Sequence, residues 1–168
     1  RARARRPPRA LAKTGEHPID HFIDEKLASL NLKHSGPAPA HTLIRRLSLD
    51  LTGILPTPEE VSQFRASYEK NPATALQAAA KRLLASPRYG ERMAVFWLDL
   101  VRYADSIGYH SDTNMEVYLY REWVINAFNK NQPFDQFTRE QIAGDLLPNA
   151  TVEQKIASGY NRLLQTTE

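Results

Sequence analysis

The sequence predicts an all-α protein, an irregular bundle of about seven helices around a central apolar helix at 86–107. Three observations carry this. Apolar residues recur at spacings of three and four along most of the chain, and no run alternates apolar with polar as a half-buried strand does. Several of the 11 prolines stand where a helix would begin, a position in which the missing N–H costs nothing. The stretch SPRYGERMAVFWLDLVRYADSI at 86–107 is apolar around most of its circumference, the pattern of a buried helix. A chain of 168 residues suits one domain with a sizeable core.

The elements follow in order. Residues 1–16 are rich in Arg, Ala and Pro without apolar periodicity and read as a linker or extended arm, leaving 17–168 as a single helical domain. Helix 17–32 starts at Pro18 and has Ile19, Phe22, Ile23, Leu27 and Leu30 for its buried face; His17 and His21 share a face at i,i+4 but have no third ligand nearby, so surface and capping roles are expected of them. After the proline-rich connection at 35–40, helix 41–52 packs through Leu43, Ile44, Leu47 and Leu51 and stops at Gly53. Thr57, Pro58, Glu59 and Glu60 announce the start of the next helix, which runs to about Tyr68. Helix 73–85 turns Leu76, Ala80, Leu83 and Leu84 inward, and Ser86 then caps the central helix. Its inward stripe is Met93, Phe96, Trp97, Leu100, Val101 and Ala104. A polar loop at 108–114 leads to helix 115–129, with Tyr118, Trp123, Val124, Ala127 and Phe128 inward. Helix 134–147 packs through Phe134, Phe137, Ile142 and Leu146, and the last helix, 151–164, through Val152, Ile156, Tyr160, Leu163 and Leu164.

Composition excludes several chemistries. The chain has no cysteine, so it offers no disulfide, no thiolate nucleophile and no thioether attachment for haem. No apolar run approaches the roughly 18 residues of a membrane span. The net charge of +3 comes from the arm: Arg1, Arg3, Arg5, Arg6, Arg9 and Lys13 are six of the 22 basic residues, and the remaining 16 face 19 acidic ones. The body is therefore not a basic nucleic-acid-binding domain. The chain begins at Arg1 with no leader sequence and reads as a fragment or a processed product.

Charged residues beside the apolar surface of the central helix mark the candidate site. Asp99 and Arg102 are i,i+3 neighbours, as are Arg102 and Asp105, and charges in such a setting need partners. With Tyr103, with Tyr109 of the loop and with Arg121 of the following helix they form the candidate functional cluster: Asp99, Arg102, Tyr103, Asp105, Tyr109 and Arg121. An ion-pair network holding the helices together is the structural alternative for Asp99 and Arg102. The spacing matches no metal motif; the residues nearest to one are His110 and Asp112.

Five blocks taken together resemble a known family: HPIDHFI at 17–23, LIRRLSLDLTGILPTPEEV at 43–61, LLASPRYGERMAVFWLDLVRYAD at 83–105, YREWVINAFNKNQPFDQFTREQIAGDLLP at 120–148 and GYNRLLQTTE at 159–168. In this order they are similar to the planctomycete cytochrome-associated domain PSCyt2, domain of unknown function 1549. The resemblance implies an exported, periplasmic setting in a multidomain polypeptide, with a cytochrome-c-like domain upstream and a PSD1-type domain downstream as partners. The family pattern continues into a CxxCH segment that resembles a c-type haem attachment site. That segment is absent here, so the chain is expected to be truncated at its C-terminal end relative to the family and to hold no cofactor of its own. The family has no established reaction. Its setting implies redox or electron-transfer support linked to polysaccharide breakdown, with Arg102, Tyr103, Asp105, Tyr109 and Trp123 near the haem. The alternatives are a non-catalytic scaffold that binds a glycan or a protein, and a polysaccharide-active hydrolase drawing on Asp99, Asp105, Asp112 and Asp145. Whether the chain is an enzyme stays open at this point.

Overall fold

The computed structural model describes residues 18–107 and 113–163. The chain divides into two compact units, Arg1–Ala38 and Pro39–Glu168. In the first, α1 spans Pro18–Ser29. It ends where Asn31 turns left-handed (φ 54°) and the Leu32 N–H bonds to the Leu27 carbonyl at 2.9 Å, so that the last carbonyls keep partners. Ile19, Ile23 and Leu30 are exposed, against the expectation of a buried face, because a lone helix has no second apolar surface among the described residues of its unit. His21 is buried rather than on the surface, and His17 lies outside the described residues.

The second unit is built from α2 (Ala40–Thr52), α3 (Pro58–Lys70), α4 (Pro72–Leu84), α5 (Pro87–Leu100), α6 (Tyr118–Asn129), α7 (Phe134–Ala143) and α8 (Val152–Ala157). Short 3-10 turns follow α7 and α8 at Gly144–Leu146 and Ser158–Arg162. The all-α fold is as expected; the exception is a two-residue antiparallel pairing of Ser106–Ile107 with Thr113–Asn114. Helix starts follow the sequence signals. Thr57 and Glu60 form a reciprocal capping box on α3, Asn71 caps α4 and Ser86 caps α5.

Two cores result. Ile44, Phe64, Ala75 and Ala79 join α2, α3 and α4, with Leu43, Leu47, Val61 and Leu76 packed around them. Ala94, Tyr120, Trp123, Val124, Ile125, Ala127, Phe137 and Ala157 join α5 to α8. Helix α5 packs on α2 to one side and on α6 to the other, so it does link the two cores. It is not the buried helix, however. It buries only Gly90 and Ala94, while Phe96 is 58 % and Leu100 69 % exposed, and the expected inward stripe is corrected to that extent. The reason is the close approach of α6. A Cβ at Gly90 would lie 2.4 Å from the Ile125 carbonyl oxygen, and Asn129 ties the start of α5 by accepting from the Gly90 N–H (2.8 Å) and donating to the Pro87 carbonyl (3.0 Å). The backbones meet on the small-residue face, which leaves the large apolar side chains outside. The buried helix is α6, with Tyr120, Trp123, Val124, Ile125 and Ala127 inside and Tyr118 outside.

Other expectations shift for stated reasons. Helix α5 ends at Leu100 rather than at 107, as described below. Helix α7 stops at Ala143, since Gly144 lies against the chain at Gln154, where a Cβ would come within 2.0 Å of the carbonyl oxygen. Of its expected inward residues only Phe137 is buried; Phe134 and Leu146 are 72 % and 79 % exposed, and Ile142 is also exposed. Glu140 and Gln141 hold the buried face of α7 instead. Leu84 of α4 and Val152 of α8 are likewise exposed rather than packed.

Candidate functional site

Helix α5 ends in a left-handed turn made without glycine. Arg102 has φ 60°, its N–H bonds to the Asp99 carbonyl (3.2 Å), and the Tyr103 N–H bonds back to the Leu98 carbonyl (2.9 Å). These are the two bonds of a Schellman motif. Of the four described non-glycine residues at positive φ, Arg102 is the one that is not asparagine, and an L-residue other than Gly or Asn pays roughly 1–2 kcal/mol for this conformation. The turn removes Arg102 from the helical register. Asp99 and Arg102 therefore make no ion pair with each other, nor Arg102 with Asp105, and among the described residues no ion-pair network links α5 to its neighbours there.

The same turn brings Tyr103 beside Asp105, just before the pairing of Ser106–Ile107 with Thr113–Asn114. The Tyr103 hydroxyl donates to Asp105 Oδ1 at 2.7 Å, and the Asp105 carbonyl accepts from the Met115 N–H at 2.8 Å, next to the Ser106–Asn114 pair. Partial burial raises the Tyr103 phenol to about 12, helped by the Asp105 carboxylate and opposed by the nearby Arg121 cation. Arg121 itself pairs with its neighbour Glu122 at 2.7 Å on the exposed face of α6. The structure thus brings Tyr103, Asp105 and Arg121 together and leaves Asp99 and Arg102 exposed beside them. Tyr109, His110 and Asp112 lie outside the described residues.

Behind Tyr103 runs a continuous series of rings. Tyr103 stacks on buried Tyr120 (centroids 6.5 Å apart, planes at 25°), Tyr120 on Trp123 (6.3 Å, 18°) and Trp123 on Phe137 (5.2 Å, 17°), with Trp97 edge-on to Phe137 at 5.0 Å. A polar knot is set into this core. The Tyr120 hydroxyl donates to Gln141 Oε1 (2.6 Å), the Trp97 indole N–H to the same oxygen (2.9 Å), and Gln141 Nε2 to the Phe137 carbonyl (3.0 Å). Burial pushes the Tyr120 phenol up to about 12.

On the far side of Trp123 opens a cleft of about 600 Å³, lined by Trp123, Asn126, Lys130, Gln132, Gln136, Glu140, Glu153 and Gln154 among others. That volume is within the range of small-molecule sites. Glu140, only 6 % exposed, is held by three amides: Gln132 donates to Oε2 (2.8 Å), Gln136 to Oε1 (2.9 Å) and Gln154 to Oε1 (3.2 Å). Burial works to raise the Glu140 carboxyl, but the three amide donors and the Lys130 charge outweigh it, and the net shift is downward. Gln154 is held in place because its side-chain Oε1 accepts from the Thr151 N–H (3.0 Å) in the capping box that starts α8. Sequence reasoning missed this cradle. Its one local signal is the i,i+4 spacing of Gln136 and Glu140; Gln132 and Gln154 come from segments before and after α7.

Lacking cysteine, the chain has no thioether attachment point for a c-type haem, so these residues do not fit that group by covalent attachment. Among the described residues no three His, Asp or Glu side chains converge as a metal site, and no helix is long and apolar enough to cross a membrane. Asp145, on the turn after α7, lines neither the cleft nor the Tyr103 corner. The chain matches no curated protein and no solved structure. A family pattern does match, over residues 18–168, nearly the whole chain, and its description is PSCyt2, protein of unknown function (DUF1549). The match spans nearly all of the chain, and the chain belongs to the PSCyt2 (DUF1549) family.

Proposed function

We propose that the chain is a non-catalytic, ligand-binding helical module of an exported, cytochrome-associated polypeptide, and that the Glu140 cleft takes one sugar unit of a polysaccharide. The observation that carries this is the amide cradle. An ionised carboxylate accepts only, so it turns the N–H groups of Gln132 and Gln136 inward and their carbonyl oxygens away from it. Gln132 and Gln136 line the cleft together with Asn126, Lys130 and Glu153, a set of donors and acceptors suited to adjacent hydroxyls. Glu140 is not a general acid, because its carboxyl is shifted down and its oxygens are already engaged. That weighs against the hydrolase alternative, as does the placing of Asp99, Asp105 and Asp145 on separate elements outside the cleft. Exposed Phe96, Leu100, Phe134 and Leu146 suit contacts with the cytochrome-c-like and PSD1-type domains of the same polypeptide. Nucleic acid is not among the proposed partners.

A second reading, support of electron transfer, is favoured by one observation, the bond from the Tyr103 phenol to the Asp105 carboxylate in front of a stack of aromatic rings.

The sugar reading is tested by titrating neutral mono- and disaccharides while following the Trp123 indole N–H by NMR. Saturable shifts that vanish in Gln136→Leu support it. An indole signal unmoved by every saccharide at millimolar concentration removes it.

A further inference from the structure

We infer that the outward face of α5 is a self-association surface: two copies of the chain pair through antiparallel α5 helices about a two-fold axis between Val95 and Phe96, with Arg92 of each copy against Asp99 of the other. This is independent of what the cleft binds and of the electron-transfer reading.

Helical register defines the face. Seven residues are close to two turns, so Arg92 and Asp99 lie on one line along α5, about 10 Å apart. Gly90 and Ala94, the residues that α5 buries, lie on the opposite side. Val95 and Phe96 flank the line midway between the two charges, and Leu100 follows Phe96 one turn on; all three are more than half exposed. The loop after α2 reaches the same face, since a Cβ at Gly53 would come within 3.2 Å of Arg92 Cδ, and Ile54 and Leu55 on that loop are exposed too. A contiguous apolar patch of this kind, edged by charge, marks an interaction surface rather than a scatter of single surface residues.

Charge selects a second copy as the occupant. The Arg92 side chain is already ordered, its stem against Gly53 and its guanidinium 4.8 Å from the centroid of the Phe96 ring. It nevertheless lacks an anion. Among the described residues it makes no ion pair and no side-chain hydrogen bond, and its Nε is buried without an acceptor. The Asp99 carboxylate is exposed and equally without a partner among them. Within one helix the two charges are too far apart to meet. Reversing a second α5 about an axis midway between them brings each Arg92 level with the other copy's Asp99. A two-fold contact is isologous, so one face has to complement itself. An apolar centre with a cation and an anion at equal distances on either side does so. Any apolar neighbour covers Val95 and Phe96, but only a surface carrying the same charges in reverse order also meets Arg92 and Asp99, and a second α5 is such a surface. A single pair of helices makes a small interface, so association is weak and rises with concentration.

Analytical ultracentrifugation of the chain over a concentration series tests this. The mass should rise from 19.1 kDa towards twice that value as the concentration approaches the millimolar range. Arg92→Glu sets two anions against each other in the pair and Asp99→Arg two cations, so each variant alone should dimerise roughly a hundredfold more weakly. Mixed together, the two variants should pair about as well as the wild type does with itself. The new anion of one then faces the new cation of the other, and the unchanged Asp99 of the first faces the unchanged Arg92 of the second. Phe96→Asp, at an exposed position beside the axis, should abolish the dimer and leave the denaturation midpoint unchanged. If Arg92→Glu fails to fold through loss of its contact at Gly53, Asp99→Arg and Phe96→Asp decide the matter. A chain that stays monomeric at millimolar concentration, a dimer that survives Phe96→Asp or Asp99→Arg, or a mixture of the two folded charge variants that stays monomeric overturns the proposal.

Discussion

The two halves of the larger unit solve the same packing problem with different chemistry. Helices α2, α3 and α4 meet through alanines, Ile44 and Phe64, and their ion pairs, such as Arg82–Glu60 at 2.6 Å, lie at the surface. Helices α5 to α8 meet through large aromatic rings with polar groups set among them: Gln141 knots Trp97 and Tyr120, and Glu140 sits in its cradle of glutamines. The difference lies in what each half can lose. Apolar contacts are non-directional and fail gradually, whereas a buried carboxylate with three amide donors fails as a unit when one member is removed. The half with the directional interior is also the half that carries the cleft and the Tyr103 corner.

The strongest way to break this contrast is Glu140→Ala. It strands the inward N–H groups of Gln132 and Gln136, and a loss of about 3 kcal/mol is expected, at the upper end of the cost of unsatisfied buried groups. Chemical denaturation measures it; a loss well under 1 kcal/mol would mean that water replaces the carboxylate and that the interior of this half is not directional. The pH dependence sharpens the point. The folded carboxyl is shifted down from its unfolded value of about 4.3, so its contribution is complete above that pH and is lost as pH falls through the lower folded value. Wild type should lose stability on acidification below about pH 4 in excess of Glu140→Gln. Next in size is Arg102→Gly, at the turn that makes the corner. Relief of the left-handed strain should raise stability by about 1 kcal/mol, read as a higher denaturation midpoint with unchanged slope. Smallest is Arg82→Ala in the apolar half, where an exposed pair is worth less than about 0.5 kcal/mol. An effect there as large as that of Glu140→Ala would erase the distinction between the halves.

Much of the fold was legible residue by residue. Thr57 with Glu60, Asn71 before Pro72 and Ser86 before Pro87 mark helix starts that the structure keeps, because a cap is satisfied within four residues and needs nothing from the rest of the chain. The apolar face of α2 through Ile44 was readable for the same reason, as its period is local. The end of α5 was not. Nothing about Arg102 advertises a left-handed residue; beyond the turn's own two backbone bonds, the ties of Tyr103 to Asp105 and of Asp105 to Met115 fix where the chain goes next. On α5 and α7 the apolar period points Phe96 and Phe134 inward, whereas both are exposed and Gly90 and Glu140 are among the residues buried there instead.

Of the candidate site, Tyr103, Asp105 and Arg121 could be named in advance because they cluster near one helix end; the Glu140 cradle could not. The sequence by itself determined that the chain is all helical, where most helices begin, that no cysteine chemistry is available and which family it belongs to. Only the tertiary structure decided which face of each helix is inside, that α6 rather than α5 is the buried one, and that three glutamines from separate segments converge on one carboxylate. The reason is range. Capping and periodicity are satisfied within a turn or two of the chain, while burial and the pairing of polar groups depend on residues that meet only when the helices pack.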